Sequence, residues 1–131
     1  GSVLVGPSDL IARARRWRKM LGGGMRQSGV LAAAGLMALE QNVDRLSEDH
    51  ARAATLADAL RALGAGEVTQ ATNMVFFTPA EVQNAALQAH LAKAGVVIGA
   101  GDSGPIRLVL HKDVTDEGLN GAIAAFQAFF S

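Results

Sequence analysis

The apolar positions of this chain change period twice, and the changes divide it. Residues 2–6 form a short apolar run closed by Gly6-Pro7, the pattern of a buried strand. Leu10, Ile11, Ala14, Trp17 and Leu21 then recur at helical spacing as one face, with Ser8 as the expected N-cap and Asp9 in the first turn. Three consecutive glycines, Gly22, Gly23 and Gly24, stop that helix, and a second is expected from about Arg26 to Gln41. This second helix is apolar nearly all round, through Val30, Leu31, Ala32, Ala33, Ala34, Leu36, Met37, Ala38 and Leu39, a composition that predicts burial on most sides and close helix approach, part of it at a subunit interface. A third helix spans Val43 to Leu63, with Leu46, His50, Ala53, Ala57 and Leu60 along one stripe and Glu48 spaced to pair with Arg52. Gly64 and Gly66 end it.

From Glu67 onward the segments shorten. Met74 to Phe77 read as a strand ended by Thr78-Pro79, and a helix runs from Pro79 to about Ala94, capped by Gly95. Val96 to Ile98 read as a short strand, Gly99 to Pro105 as a glycine-rich loop, and Ile106 to Leu110 as another strand. The last helix, Asp116 to Phe130, has Thr115 as its N-cap and turns Leu119, Ile123, Phe126 and Phe130 inward. Strand, helix, strand, strand, helix is the order of an α+β layer, a small sheet with helices on one face, so the chain as a whole is of the α/β class.

Composition narrows the function classes. Half of the 131 residues are apolar, enough for a modest core, and the absence of cysteine excludes disulfides and thiolate metal sites. No metal site is expected. The longest apolar run, Gly29 to Leu39, is too short to span a bilayer, no signal peptide is apparent, and a soluble cytoplasmic chain is expected. Net charge is zero, but it is polarised. Six of the 12 Lys and Arg residues lie between Arg13 and Arg26, against the single acid Asp9, a net of +5 over the first 39 residues; the remainder carries six cations and eleven acids, a net of −5.

Cations gathered around a glycine turn suit an anion. Glycines let the backbone approach a ligand closely, and a following helix N-terminus adds free N–H groups and a positive dipole end. Lys19 and Arg26 are therefore candidate phosphate ligands. The structural alternative is a helix C-cap with a solvated basic face. The second candidate is Arg107, flanked by Ile106 and Leu108 on a strand, where alternate residues share a face, so that Arg107, Val109 and His111 point together. A guanidinium there either forms a salt bridge with one of the acids beyond residue 39 or grips an anionic ligand bidentately. His50 reads as a structural, partly buried histidine rather than a catalytic one.

The runs Arg16-Trp17-Arg18-Lys19-Met20 and Gly22-Gly23-Gly24-Met25-Arg26-Gln27-Ser28-Gly29 resemble the segment downstream of the cofactor lysine in low-specificity L-threonine aldolases, pyridoxal-phosphate enzymes of the aspartate-aminotransferase superfamily, fold type I. The resemblance covers the whole chain. Gly1 to Gly6 resemble the strand after the lysine loop, Asn42 to His50 the connecting helix, Thr72 to Phe76 the first strand of the small domain, and Ile106 to His111 its later strand. It implies three parts: the end of the large domain (1–41), a connecting helix (42–66) and the C-terminal small domain (67–131). It implies that Arg107 binds the α-carboxylate of a β-hydroxy-α-amino acid, that Lys19 and Arg26 lie near the cofactor phosphate in a site shared between subunits of a homo-oligomer, a dimer of dimers, and that the reaction is retro-aldol cleavage of threonine to glycine and acetaldehyde.

The family's Schiff-base lysine matches none of Lys19, Lys93 and Lys112. By the resemblance it lies upstream of Gly1, so that no catalytic residue falls in this chain, the missing N-terminal half is its partner, and the 131 residues alone are expected to be inactive. Other readings compete: a stand-alone non-catalytic interaction domain, another pyridoxal-phosphate lyase or aminotransferase of the superfamily, and a nucleic-acid binder using Arg13 to Arg26. The last is opposed by one tryptophan and no tyrosine for base stacking, so neither nucleic acid nor membrane is expected as a partner.

Overall fold

A computed structural model describes residues 3–81 and 83–131 of the chain. These fall into two compact units, Gly1–Val43 and Asp44–Ser131.

The first unit holds two helices, α1 (Ser8–Met20) and α2 (Gly29–Gln41). Ser8 is the first helical residue rather than the cap; Pro7 takes the cap position, with no side-chain hydrogen bond. The C-terminus of α1 is a full Schellman closure. The Gly22 amide bonds to the Lys19 carbonyl at 3.2 Å and the Gly23 amide to the Arg18 carbonyl at 2.7 Å, with Gly22 at φ +87°. The following helix begins at Gly29, three residues later than its composition suggests, because Arg26, Gln27 and Ser28 form a turn. One expectation fails here. Val3 to Gly6 are not a strand, and their side chains are exposed; Ser2, the first residue of that expected strand, lies outside the described residues. Within this chain the apolar faces of both helices are open, with Trp17 of α1 60% and Leu39 of α2 69% exposed and no buried residue in either helix. Helical spacing dictates which side chains share a face, not whether anything covers it.

The second unit runs α3 (Leu46–Leu63), β1 (Gly66–Ala71), β2 (Met74–Pro79), α4 (Asn84–Lys93), β3 (Ile106–Val109) and α5 (Asp116–Phe130). The three strands form an antiparallel sheet in the order β1-β2-β3. Strand β1 has only Val68 as a large apolar residue, so the alternation does not mark it, and Thr72 and Asn73 form the turn into β2 rather than the start of a first strand. Helix α3 packs on β1, β2 and α5, and α4 packs on α5. Val75, Phe77, Ile106 and Leu108 turn inward from the sheet to meet Ala53, Leu56, Ala57 and Leu60 of α3, Leu87 and Leu91 of α4, and Leu119 and Phe126 of α5. Phe77 is the centre of this core: its ring meets Phe126 edge-on at 6.1 Å and Phe130 at 5.7 Å.

The α5 cap is as expected, the Thr115 hydroxyl accepting from the Gly118 amide at 3.1 Å. Two other details differ. The buried residue in the first turn of α3 is Asp49, 3% exposed, while its neighbour His50 is exposed. Val96 to Ile98 are coil, with Val97 89% exposed, because the Val96 amide closes the end of α4 on the Leu91 carbonyl and the Ile98 carbonyl accepts from Gln88. The helix expected from Pro79 starts at Asn84; Val82, within that expected span, lies outside the described residues.

Candidate functional site

Arg107 owes its place to the pleat. Ile106 and Leu108 turn into the core, so Arg107 and Val109 must stand on the opposite, open face of the sheet. The register sets Phe76 of β2 directly across from Arg107, with Val75 across from Leu108 on the core side. Among the described residues the guanidinium has no ion pair and no hydrogen bond to protein. The salt bridges run elsewhere: Asp9 with Arg13, Glu48 and Asp49 with Arg45 and Arg52, Asp58 with Arg61, Asp113 with Lys112, and Asp116 with Arg52. Among the described residues, the internal salt bridge that would have explained this arginine is not made. His111 does not continue the row of Arg107 and Val109, since β3 ends at Val109; its Nδ1 accepts from the Asp113 amide at 3.3 Å in the turn beyond.

The strand carrying Arg107 is held at both ends by asparagine side chains. Asn84, 2% exposed at the start of α4, donates from Nδ2 to the carbonyls of Gly101 at 3.0 Å and Gly104 at 3.2 Å. Asn73 donates from Nδ2 to the Leu110 carbonyl at 2.6 Å, and its own carbonyl accepts from the Leu110 amide at 2.9 Å. Gln88, one turn beyond Asn84, donates to the Ile98 carbonyl at 2.9 Å.

Beneath the sheet, Arg45 clasps Asp49 through two hydrogen bonds of 2.8 and 3.0 Å, and Arg52 donates from Nε to Asp116 at 2.7 Å, which ties α3 to the start of α5. The hydrogen-bonded Arg45 guanidinium holds the Asp49 carboxyl below the ordinary carboxylate range, against the opposing effect of burial. Arg52 is raised in turn by its bond to Asp116. The Glu48–Arg52 pair expected from the spacing is made, at 3.7 Å, but the bonds of Asp49 and Asp116 and the role of Asn84 were not read from the sequence. A lone asparagine in an alanine-rich stretch has no periodic signature, and the pairing of Arg52 with Asp116, 64 residues away, is a matter of tertiary placement.

Lys19 and Arg26 belong to the first unit and are exposed, and among the described residues neither forms an ion pair. Lys19 lies in the last turn of α1 with its ammonium beside Gly24, where an added Cβ would come within 2.9 Å of Nζ. The amides of Gly22 and Gly23 are occupied in capping α1. An anion at this turn would therefore be met chiefly by side-chain cations, not by those two amides.

The fold is thus of the α/β class, and the chain superposes on part of N-acetylornithine aminotransferase from Stenotrophomonas maltophilia K279a with a TM-score of 0.53 at 22% identity, over 65% of this chain and 27% of that one. Residues 1–82 match the model of the beta-eliminating lyase family, and the chain belongs to that family. It is 51% identical over 131 residues to low specificity L-threonine aldolase of Escherichia coli (strain K12), covering 100% of this chain and 39% of the relative. It is 38% identical over 133 residues to low-specificity L-threonine aldolase 1 of Arabidopsis thaliana, covering 97% of this chain and 37% of the relative. The resemblance read from the Arg16–Met20 and Gly22–Gly29 runs is borne out, and the chain spans well under half the length of these relatives. Among the described residues no helix is long and apolar enough to cross a membrane.

Proposed function

We propose that this chain is the C-terminal portion of a pyridoxal-phosphate-dependent threonine aldolase, cleaving β-hydroxy-α-amino acids such as threonine to glycine and acetaldehyde. The observation that carries the reading is Arg107, a strand arginine on an open sheet face with no protein partner among the described residues, in a chain 51% identical along its whole length to a threonine aldolase. Residues 1–41 close the large domain, 42–66 connect, and 67–131 form the small domain. The exposed apolar faces of α1 and α2 are covered by the preceding portion of the enzyme and by other subunits of a cytoplasmic homotetramer.

Arg107 binds the α-carboxylate of the substrate through its planar fork, which fixes orientation as well as affinity. Phe76 and Val109, on the same sheet face, limit water around that ion pair and strengthen it. Lys19 and Arg26 fit the phosphate end of the cofactor, being exposed cations beside a glycine turn and free of ion pairs among the described residues. The lysine that holds the cofactor lies in the preceding portion; Lys112 is engaged with Asp113 at 2.8 Å. When bound, pyridoxal phosphate supplies the sink for the electron pair released as the Cα–Cβ bond breaks.

The test is aldol cleavage by the full-length enzyme. Threonine should yield glycine and acetaldehyde in equal amounts, and Arg107→Ala should lower kcat/KM by about 30-fold, the equivalent of losing a charge-assisted bidentate contact. Transamination of the same substrates without acetaldehyde release would overturn the assignment.

A further inference from the structure

Arg107 stands on a strand of four residues at the edge of the sheet, paired on one side only. Such a strand is a poor mount for a guanidinium that must meet a carboxylate in one orientation. Its approach is worse: the loop from Gly99 to Pro105 holds glycines at 99, 101 and 104, the last at φ +83°, and chain of this composition has much freedom to lose. Yet this loop makes no ladder. Its order comes from α4, where the buried Asn84 carboxamide bonds to two of its carbonyls, Gly101 and Gly104, and Gln88 bonds to the Ile98 carbonyl before it.

We infer that Asn84 is a positioning residue for substrate binding: by fixing the Gly101 and Gly104 carbonyls it sets where β3 begins, and hence how Arg107 presents its fork to the substrate carboxylate. The inference rests on the reading of Arg107 as the carboxylate ligand. Gly104 lies three residues before Arg107, and Leu110, held by Asn73, three residues after it, so the arginine sits midway between two side-chain anchors. Of the two, Asn84 is the one that restrains flexible chain; Asn73 stands beside a turn that the β1–β2 ladder already closes. Without the Asn84 amide, the two carbonyls lose their shared donor and the loop regains alternatives, and displacement of a binding group by even 1 Å is expensive in rate and affinity.

The experiment uses the full-length holoenzyme, with threonine kinetics and calorimetric titration of glycine. Asn84→Ala should raise KM and weaken glycine binding about tenfold, with kcat changed far less and cofactor content unchanged. A role in stability alone would lower the melting temperature without moving KM in the folded enzyme. In an Arg107→Ala background, Asn84→Ala should add nothing further to KM, because the residue it serves is gone. If Asn84→Ala does not fold, Gln88→Ala, which frees the start of the same loop, is expected to raise KM about threefold, again only when Arg107 is present. KM unchanged in these variants, while Arg107→Ala raises it, overturns the role of Asn84 and leaves the reading of Arg107 standing. An equal rise with and without Arg107 also overturns it. KM insensitive to Arg107→Ala removes the reading of Arg107 itself.

Discussion

Replacing Phe77 by alanine tests the register that puts Arg107 outside. Phe77 is fully buried and Phe76 is half-buried on the other face; a slip of one residue would exchange them and carry Arg107 into the core. Truncating the ring removes roughly 100 Å² of apolar burial, about 2.5 kcal/mol at 25 cal/mol per Å². To this are added the two edge-on contacts with Phe126 and Phe130, at about 0.5–1.5 kcal/mol each, of which part is regained as the rings relax toward the void. The total is about 4 kcal/mol, within the usual span for a buried Phe→Ala change. A domain of this size has about 4–13 kcal/mol in all, so the variant should lose at least about a third of its stability. Urea titration followed by far-ultraviolet circular dichroism measures the loss, with Phe76→Ala as the comparison, expected below about 1.5 kcal/mol because only part of its ring leaves water. Equal losses, or a larger one for Phe76→Ala, would refute the register and with it the outward placement of Arg107.

Other expectations concern the ion pairs, the helix cap and the phosphate. Arg45 holds the Asp49 carboxyl below its ordinary value of 3.8, so its stabilisation is complete above that pH and is lost as pH falls through the depressed folded value. The urea midpoint of the parent should therefore fall more steeply than that of Asp49→Asn between about pH 5 and pH 2; parallel curves would assign the acid sensitivity elsewhere. Gly22→Ala forces a side chain into φ +87° and should weaken the α1 closure by about 1 kcal/mol, seen as faster amide exchange at Gly22 and Gly23. Gly24→Ala should be milder, since the nearest obstacle is the movable end of Lys19. In the full-length enzyme, Lys19→Gln or Arg26→Gln should weaken retention of pyridoxal phosphate while leaving pyridoxal binding nearly unchanged, by equilibrium dialysis. A fall in oligomer mass by light scattering with no change in phosphate dependence would make these cations interface residues instead.

What could be read from the chain was local. The alternation of Ile106, Arg107, Leu108 and Val109 dictates an inward and an outward face, and the fold keeps both. The spacing of Leu119, Ile123, Phe126 and Phe130, with Thr115 ahead of it, dictates α5 and its cap. Other features depend on pairings that no hydrophobic period marks. Polar β1 is a strand because β2 pairs with it, and Val96 to Ile98, though β-branched, are coil because α4 takes their backbone groups. The first turn of α3 buries Asp49 rather than His50 because Arg45 neutralises the carboxylate there. Of the candidate site, the unusual arginine was legible, while the asparagines that hold its strand were not.

The carboxylate itself can be isolated as a variable. Calorimetric titration of the full-length holoenzyme with glycine and with glycinamide, which lacks the carboxylate, compares two ligands that differ chiefly at the group Arg107 is proposed to bind. The parent enzyme should prefer glycine by about 30-fold, the value of a charge-assisted bidentate contact, and Arg107→Ala should bind the two nearly equally. An Arg107→Ala enzyme that keeps the parent's preference for glycine would contradict the assignment of the substrate carboxylate to Arg107.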